Sequence, residues 1–373
     1  MTRMISILFV ILTTGLASCS TESASPTESI VPSESISASA PAESEAAGPV
    51  GVTVAYQPIL SAGPMFVAED LGYYSERGIT NVYTSIRSGV DVLGLMSQGD
   101  LDVNAALGAG AAWSNALNSG LNVRAIASRL RYTCSSDAAL VVSQQLWDQG
   151  LQSTADLEGR TVSVTARGTG RDYWLQLMLE QEGLTEDDLE EVAILSDQDS
   201  LTALQTGAID YAVMVQPFVA HAVLNNIAQV VIPMHELVPD MEIGLYGSST
   251  AFLEREGGDV AANWLAATLL GVRYLQDPAN KEEVLDIIAK WTQVERGVLD
   301  ALYGTDQWAW TSPNGEVDVE NINEHNAWFL DNGLVESIPE DQGYDDTALR
   351  AALEEVGEVD VSRDCDEVPP FGE

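Results

Sequence analysis

The stretch GVTVAYQPILSAGPMFVAEDLGYY, residues 51–74, decides the fold. Val52, Val54 and Tyr56 alternate with smaller residues, a pattern that predicts a half-buried β-strand. A cluster of small residues and proline at 61–64 ends the strand, and apolar residues then recur at helical spacing. The unit is therefore strand, turn and helix. The N–H groups at the start of such a helix have no partner within it, so they are free to bind a ligand beyond the end of the strand.

The same alternation continues along the chain. Further strands are predicted at 82–85, 103–107 and 123–128, with helices at 90–98 and 111–119 between them. Strands that alternate with helices predict a mostly parallel sheet with helices on both faces, and ligands bind such sheets at the carboxyl ends of the strands. A polar segment at 129–138 separates this unit from a second one, and apolar spacing predicts helices over 252–291.

The residues FVAEDLGYYSERGI at 66–79 resemble the opening of ABC-transporter substrate-binding proteins of the nitrate, sulfonate, taurine and thiamine-precursor family. The segments GVDVL at 89–93, LEGRTVSV at 157–164 and AIDYAVM at 208–214 extend the resemblance, which covers roughly residues 51–330. It implies an α/β, two-lobed periplasmic-binding-protein type II fold in which each lobe is a mostly parallel sheet flanked by helices, with two hinge crossovers. The expected bounds are 49–137 and 244–360 for lobe 1 and 138–243 for lobe 2.

The two ends of the chain are expected to lie outside the lobes. Residues 1–19 predict a signal peptide too short to span a membrane, and their Leu-Ala-Ser-Cys ending resembles a lipobox with Cys19 as the lipidated residue. The alternative is an ordinary signal peptide. Residues 20–48, rich in Ser, Glu and Pro, predict a disordered tether, and 361–373 an acidic tail. Cys134 and Cys365 are then expected to form a disulfide, the alternative being two free thiols.

Charge and motifs exclude several function classes. The formal net charge is −41, and Lys281 and Lys290 are the only lysines, which argues against nucleic acid as a partner. Motifs of dinucleotide-binding folds, P-loops, serine hydrolases and zinc proteases are absent, so we predict no enzyme activity, no cofactor and no metal site. A hydrolase that uses His221 or His325 is a minor alternative.

Four arginines are the most informative group of candidate ligand-binding residues. Arg129 and Arg131 follow a predicted strand of lobe 1, and Arg167 and Arg171 flank the turn Gly168-Thr169-Gly170 at a helix start in lobe 2. Guanidinium groups on facing loops predict a cleft that binds oxyanions. The alternative is that each arginine pairs with a surface carboxylate.

Aromatic and amide side chains complete the predicted ligand-binding set. Aromatic rings near strand ends would stack on a flat ligand, and side-chain amide groups would form hydrogen bonds with ring heteroatoms. Trp174 and Trp264 are expected to be packing residues instead. The remaining members are Tyr56, Trp113, Tyr173 and Tyr246, the amides Gln57 and Gln216, the turn residues Gly63, Pro64 and Met65, and Gly108 in the small-residue loop.

These observations and the resemblance predict an extracytoplasmic solute-binding lipoprotein of an ABC importer. It would hold a small organic ligand between two lobes, by preference an aromatic or heterocyclic one such as a vitamin precursor or flavin, with an acidic group as a further feature. The alternatives are a small anion (nitrate, a sulfonate or taurine) and a tethered sensor without a transport role. The expected partners are the permease and ATPase subunits and, through the lipid, the outer face of the cytoplasmic membrane, with a monomeric chain.

Overall fold

The computed structural model describes residues 48–360. The predicted signal peptide, nearly all of the predicted tether and the predicted acidic tail lie outside these residues.

Ten strands form two sheets of five strands each. The strands are β1 (Val50–Tyr56), β2 (Ile79–Ser85), β3 (Val103–Gly108), β4 (Val123–Tyr132), β5 (Ala138–Ser143), β6 (Thr161–Val164), β7 (Glu191–Ile194), β8 (Tyr211–Val215), β9 (Ala228–Pro233) and β10 (Met241–Ser249).

The first sheet has the order β2-β1-β3-β10-β4 and defines lobe 1. β1 is parallel to β2 and β3, whereas β10 is antiparallel to both β3 and β4. Four strands therefore run in one direction, and the late strand β10 runs against them. The central strand β3 is buried along almost its whole length, because helices cover both faces of the sheet.

The second sheet has the order β7-β6-β8-β5-β9 and defines lobe 2. β6 is parallel to β7 and β8, and β5 is antiparallel to β8 and β9. Each lobe is thus a mostly parallel sheet with one reversed strand, the first strand after a crossover, which confirms the predicted fold class.

Helices cover both sheets and supply most of the core. They are α1 (Gly63–Asp70), α2 (Tyr73–Glu76), α3 (Leu93–Gln98), α4 (Ala111–Asn118), α5 (Gln144–Trp147), α6 (Gly170–Gln181), α7 (Asp197–Thr206), α8 (Phe218–Leu224), α9 (Met234–Leu237), α10 (Thr250–Leu253), α11 (Asp259–Gln276), α12 (Lys281–Thr292), α13 (Arg296–Leu302), α14 (Val319–Asp331) and α15 (Thr347–Val356). The long helix α11 packs on α1 and α15, with Trp264 and Leu265 fully buried.

Two connections join the lobes. The chain leaves lobe 1 after β4 and enters lobe 2 at β5, and it returns through the short helix α9 into β10. β10 begins at Met241, a little before the return expected near residue 243. Cys134, in the first connection, is disulfide-bonded. Its expected partner, Cys365, lies outside the described residues, so the pairing stays a prediction.

Candidate functional site

A cavity of about 80 Å³ lies where the two lobes meet. The carboxyl ends of strands from both sheets converge on it, as expected for open α/β sheets. Gln57 follows β1, Gly108 ends β3, Thr165 follows β6 and Val215 ends β8. The remaining lining residues are Ile59, Ser61, Ser88, Gly89, Val90, Ala106, Arg129, Leu130, Tyr132, Asp137, Gly168, Thr169, Gly170, Arg171, Trp174 and Ile243.

The lobes are closed on each other around this cavity. The Leu60 N–H donates to the Gln216 carbonyl at 2.9 Å, and the Ala112 N–H donates to the Gly168 carbonyl at 2.9 Å. The Gln216 side chain also donates to Gln307 Oε1 at 2.8 Å. Each bond joins a group of lobe 1 to a group of lobe 2, so these contacts form only when the lobes meet.

Arg129 is the cation of the cavity without a carboxylate partner. Its side chain on β4 is 5% exposed, Nη1 donates to Ser61 Oγ at 2.5 Å, and Nε has no hydrogen-bond partner. Within the described residues it forms no ion pair. Burial lowers the pKa of Arg129, yet arginine stays protonated in proteins, so the cavity holds a buried positive charge. Gly244 provides space for it, because a Cβ there would lie 2.9 Å from Arg129 Nη2.

The second arginine of the cavity is already neutralised. Arg171 is 8% exposed and its Nη1 lies 2.9 Å from Asp197 Oδ1, which also accepts the Val215 N–H. Arg171 belongs to the first turn of α6, and the N–H groups at the start of this 12-residue helix lie beside the cavity. Such N–H groups favour an anionic ligand.

An aspartate lies opposite these cations. Asp137 is fully buried in the first connection, and its Oδ1 accepts a hydrogen bond from Tyr132 Oη at 2.8 Å. Burial raises the pKa of Asp137, although the Tyr132 hydrogen bond, the charges of Arg129 and Arg171 and the nearby Ser61 hydroxyl act to lower it. Tyr132 in turn stacks on Trp174, with ring centroids 5.4 Å apart.

Six of the predicted ligand-binding residues line the cavity. That they contact ligand stays a prediction, but the fold brings them together from four separate segments of the chain. They are Gln57, Gly108, Arg129, Gly168, Thr169 and Arg171.

The predicted aromatic residues lie away from the cavity. Tyr56 packs edge-on against Phe66, Tyr83 and Trp291. Trp113 is fully buried and its Nε1 donates to the Gln342 carbonyl at 3.0 Å.

The two remaining tyrosines of the predicted set, Tyr246 and Tyr173, also lie outside the cavity. Tyr246 is buried behind Arg129 and packs edge-on against Trp264 at 5.5 Å. Tyr173 contacts helix α14 of lobe 1. Rings near strand ends therefore serve packing within and between the lobes.

Three of the four predicted arginines pair with carboxylates: besides Arg171, these are Arg131 and Arg167. Arg131 forms ion pairs with Asp240 and Asp318, and it faces a different cavity. Arg167 is half exposed and forms ion pairs with Asp172 and Glu186. Hydrogen bonding to Glu186 and Asp172 raises the pKa of Arg167, so this guanidinium is held by lobe 2 itself.

The turn residues and the second glutamine also lie outside the cavity. Gly63, Pro64 and Met65 are buried in the first turn of α1, where a Cβ on Gly63 would meet Leu275 of α11. Gln216 is 1% exposed. Its side-chain amide accepts a hydrogen bond from the Ala220 N–H and donates one to Gln307 Oε1. The start of α1, which is expected to face the ligand, does not line the cavity, because the 3₁₀ turn before it intervenes and places Ser61 there instead.

Three important lining residues were missed by sequence reasoning. The sequence places Ser61 in a predicted turn and Asp137 in a polar segment, and it predicts Trp174 to be a packing residue. A signal for Asp137 existed, since an aspartate directly before a buried strand, Ala138–Ser143, is buried with it. In a chain with 57 acidic residues, however, a single aspartate does not stand out.

Outside the cavity, aromatic rings hold the lobes together. Tyr173 on α6 lies 5.2 Å from Trp328 and 5.1 Å from Phe329, both on α14, measured between ring centroids. The Trp328 Nε1 donates to both carboxylate oxygens of Glu180 at 3.0 and 3.1 Å. Because α14 packs on β10 of lobe 1, these contacts join the two lobes.

Replacing Trp328 by alanine is expected to weaken ligand binding about three- to tenfold. An aromatic pair contributes about 0.5–1.5 kcal/mol, and this pair exists only in the closed form. Isothermal titration of the two proteins measures the difference. Leu330→Ala, at an exposed position of the same helix, is the control. Equal losses in both variants would show that the Trp328 contact does not favour closure.

A second cavity, of about 540 Å³, lies on the other face of β4 and β10. It holds Arg131 and the buried carboxyl of Glu242, which accepts a hydrogen bond from Ser128 Oγ at 2.7 Å. Burial raises the pKa of Glu242 to about 8, although Ser128, Arg131 and the Asp318 N–H act to lower it. The folded protein therefore keeps a proton on Glu242 at neutral pH.

Glu242→Gln is expected to remove a loss of stability at alkaline pH. The unfolded chain releases the Glu242 proton near pH 4.5 and the folded protein near pH 8, so rising pH between these values destabilises the fold, by roughly 5 kcal/mol in full. Glutamine has no charge to bury. Thermal unfolding should give similar melting temperatures at pH 5 and a higher one for the variant at pH 9. The exposed Glu336→Gln is the control, and parallel pH curves for wild type and Glu242→Gln would contradict the expectation.

Two further findings concern the described part of the chain. Residues 48–360 contain no cluster of three or more His, Cys, Asp or Glu side chains that is arranged to hold a metal ion. No helix in this range combines the length and the apolar character needed to cross a bilayer. His221 and His325, the residues of the minor hydrolase alternative, do not line the cavity.

The fold is similar to solved structures of binding proteins and of an enzyme. The periplasmic nitrate-binding protein from Synechocystis PCC 6803 matches with a TM-score of 0.69 at 12% identity, over 87% of this chain and 92% of that chain. The ligand-binding component of an ABC-type import system from Staphylococcus aureus matches with a TM-score of 0.67 at 13% identity, over 81% and 98%. The desulfurization enzyme DSZB matches with a TM-score of 0.58 at 16% identity, over 82% and 99%.

A comparison with curated proteins finds no match. The family model described as NMT1/THI5 like matches residues 61–281, which is more than half of the chain and includes strands of both sheets. The resemblance carried by residues 66–79 is thereby confirmed at the level of the family. This chain belongs to the NMT1/THI5-like family.

Proposed function

We propose that the protein is the extracytoplasmic solute-binding component of an ABC importer and that it closes its two lobes over a small organic molecule with an anionic group. The observation that carries this is Arg129, a buried guanidinium in a closed interlobe cavity without a carboxylate partner. A buried charge without an ion-pair contact is costly, so a ligand whose anionic group contacts Arg129 stabilises the closed form.

The surroundings of Arg129 support an anion. Ser61, Ser88, Thr165 and Thr169 line the cavity, and the N-terminus of α6 lies beside it. Hydroxyl and amide donors around a guanidinium suit carboxylate and sulfonate oxygens. The nitrate-binding protein among the structural neighbours is named for an anion, which agrees with an anionic ligand.

The size of the cavity supports a small ligand. A cavity of about 80 Å³ favours a ligand smaller than the three fused rings of a flavin. Of the aromatic residues singled out in the sequence, only Trp174 lines it. The alternative of a small anionic ligand therefore has more support than the preferred aromatic or heterocyclic one.

The proposed mechanism is capture and delivery. Open lobes admit the ligand, and contacts from both lobes shift the population toward the closed form. Arg129 of lobe 1 and the α6 N-terminus of lobe 2 hold the anion together, so neither lobe alone provides the site. The permease and ATPase subunits of an importer would receive the closed form, and the protein would act as a monomer.

We also propose that Cys19 anchors the protein to the outer face of the cytoplasmic membrane through a lipid. When the full chain is expressed in a bacterial host, wild type should be found in the membrane fraction and Cys19→Ala in the soluble fraction. Intact mass of the membrane-bound form should exceed the mass of the chain from Cys19 onward by that of a lipid. The same distribution for both proteins would reject the anchor.

The test of the function is native mass spectrometry of the gently purified protein, followed by thermal-shift screening of carboxylates, sulfonates, nitrate and pyrimidines. A co-purified small organic acid, or stabilisation by one, supports the proposal. Stabilisation by pyrimidines alone would restore the heterocyclic alternative. If no compound binds, a sensor or scaffold role becomes the better hypothesis, and a neighbouring histidine-kinase gene in place of permease and ATPase genes would support it.

A further inference from the structure

Three buried polar atoms around the interlobe cavity have no hydrogen-bond partner. They are Arg129 Nε, Trp174 Nε1 and Asp137 Oδ2, and all three residues line the cavity. Buried polar groups in proteins are rarely left unpaired, because each one costs about 1–3 kcal/mol and a charged one costs more. A ligand that completes this set must offer acceptor atoms to the first two groups and a donor to the third.

The charges of the cavity lead to the same conclusion. Arg171 is neutralised by Asp197 at 2.9 Å, so its charge is satisfied within lobe 2. Arg129 and Asp137 remain, one positive and one negative, and they are not in ion-pair contact with each other. A simple anion would neutralise Arg129 and leave two negative groups, itself and Asp137, in one small buried space.

We propose that the ligand is a small zwitterion whose anionic group binds at Arg129 and whose ammonium group binds at Asp137. This inference rests on the proposed function and names the class of solute. Asp137 becomes the residue that sets specificity, because it accepts from an ammonium group and repels an anion that lacks one.

The position of Asp137 suits this role. Tyr132 Oη holds Oδ1 at 2.8 Å, which fixes the carboxylate and leaves Oδ2 for the ligand. The Asp137 carbonyl accepts the Gln216 N–H at 2.6 Å, and the Gln216 carbonyl accepts the Leu60 N–H of lobe 1. The ammonium site is therefore built on the first connection between the lobes, where closure brings the backbone of both together.

One competing arrangement uses the same residues. Burial raises the pKa of Asp137, and a protonated Asp137 would donate to an anion instead of accepting from an ammonium group. The two arrangements make opposite predictions about a ligand without the ammonium group. With a protonated Asp137 such a ligand binds well; with an ionised Asp137 it binds poorly.

The first experiment uses the wild-type protein and two pairs of matched probes, taurine against ethanesulfonate and β-alanine against propionate. Within each pair the two compounds have similar chain lengths and the same acid group, and only one has an amine. Isothermal titration at pH 7 is expected to show at least tenfold tighter binding of the ammonium-bearing member of at least one pair. Equal affinity within both pairs, or tighter binding of the amine-free members, would overturn the inference.

The second experiment repeats the titrations with Asp137→Asn, which keeps the shape of the side chain and removes its charge. The preference for the ammonium-bearing probe should fall to less than threefold, while the amine-free probe binds as well as before or better. Retention of the full preference in the variant would assign the ammonium site to another residue and overturn the role of Asp137. Circular dichroism and the melting temperature check that the variant is folded, and the wild-type pairs stand as a test by themselves.

Failure of the inference is distinguishable from failure of the proposed function. If the amine-free acids bind as tightly as their partners, anion binding stands and the zwitterion is rejected. If no member of either pair binds and the broader screen of organic acids is also negative, the proposed function falls and the inference falls with it.

Discussion

Replacing Arg129 by methionine is expected to weaken binding of the anionic ligand about 100-fold or more. Removal of one partner from a buried, hydrogen-bonded charge pair costs about 2–5 kcal/mol, and each 1.4 kcal/mol is a factor of ten in affinity. Methionine retains much of the apolar volume of the side chain. Since the wild-type guanidinium is buried and forms no ion pair, its desolvation cost offsets its longer-range attraction to Asp137, and the melting temperature without ligand should change little. Isothermal titration and thermal unfolding of the two proteins measure both effects.

Arg131→Met is the matched control for this substitution. Arg131 lies on the same strand two residues further on, but its guanidinium pairs with Asp240 and Asp318 at the second cavity. Arg167→Ala is a further control, because that side chain is half exposed and paired within lobe 2. Both variants should bind ligand within about threefold of wild type. A loss at Arg131 or Arg167 as large as the loss at Arg129 would remove the argument that one guanidinium carries anion binding.

Gly110→Ala is expected to weaken ligand binding about 30-fold, although Gly110 touches no ligand group. A Cβ at this position of lobe 1 would lie 2.7 Å from the Gly168 carbonyl oxygen of lobe 2, which is too close for any real contact. Overpacking of this kind costs about 1–3 kcal/mol, and here only the closed form bears the cost. The backbone of Gly110 is extended (φ −96°), so alanine introduces no local strain. Small-angle scattering should show that the variant stays open at ligand concentrations that close wild type.

Gly94→Ala is the matched control for closure. No atom lies within 4 Å of a Cβ built on Gly94 in helix α3, so the methyl group added by alanine contacts no neighbouring residue. Its affinity should equal that of wild type, and its melting temperature should be equal or slightly higher. The melting temperature of ligand-free Gly110→Ala should also stay near wild type, because the clash exists only when the lobes meet. Unchanged affinity of Gly110→Ala would show that ligand binds without this closure.

The fold could be predicted from the sequence because its signals are local. Runs such as Val50–Tyr56 and Val103–Gly108 are short, apolar and bounded by small residues, and helices with regular apolar spacing separate them. Alternation of strand and helix allows few arrangements other than mostly parallel sheets. The order of the strands could not be predicted from the sequence, since no local pattern shows that β10 inserts between β3 and β4.

The site was predicted only in part, and β4 shows why. Strand periodicity places Arg129 and Arg131 on the same face, yet they line different cavities. Leu245 pairs with Ser128 and Gly244 with Leu130, so Arg129 is an extra residue in β4. This bulge turns both Arg129 and Leu130 toward the interlobe cavity and sends Arg131 to the opposite face. A register shift of this kind depends on the partner strand and cannot be found in one segment of sequence.

The insertion of lobe 2 within lobe 1 has a consequence for how the protein forms. All five strands of the lobe 2 sheet come from the continuous segment 138–233, so this sheet can assemble as soon as that segment is available. The lobe 1 sheet must wait for β10, because β3 and β4 are joined only through it. Pairings between residues distant in sequence are slow, since the entropy of closing a long loop opposes them. During synthesis lobe 2 should therefore fold first. β3 and β4 should stay without β10, the strand that lies between them, until residues 241–249 have been made.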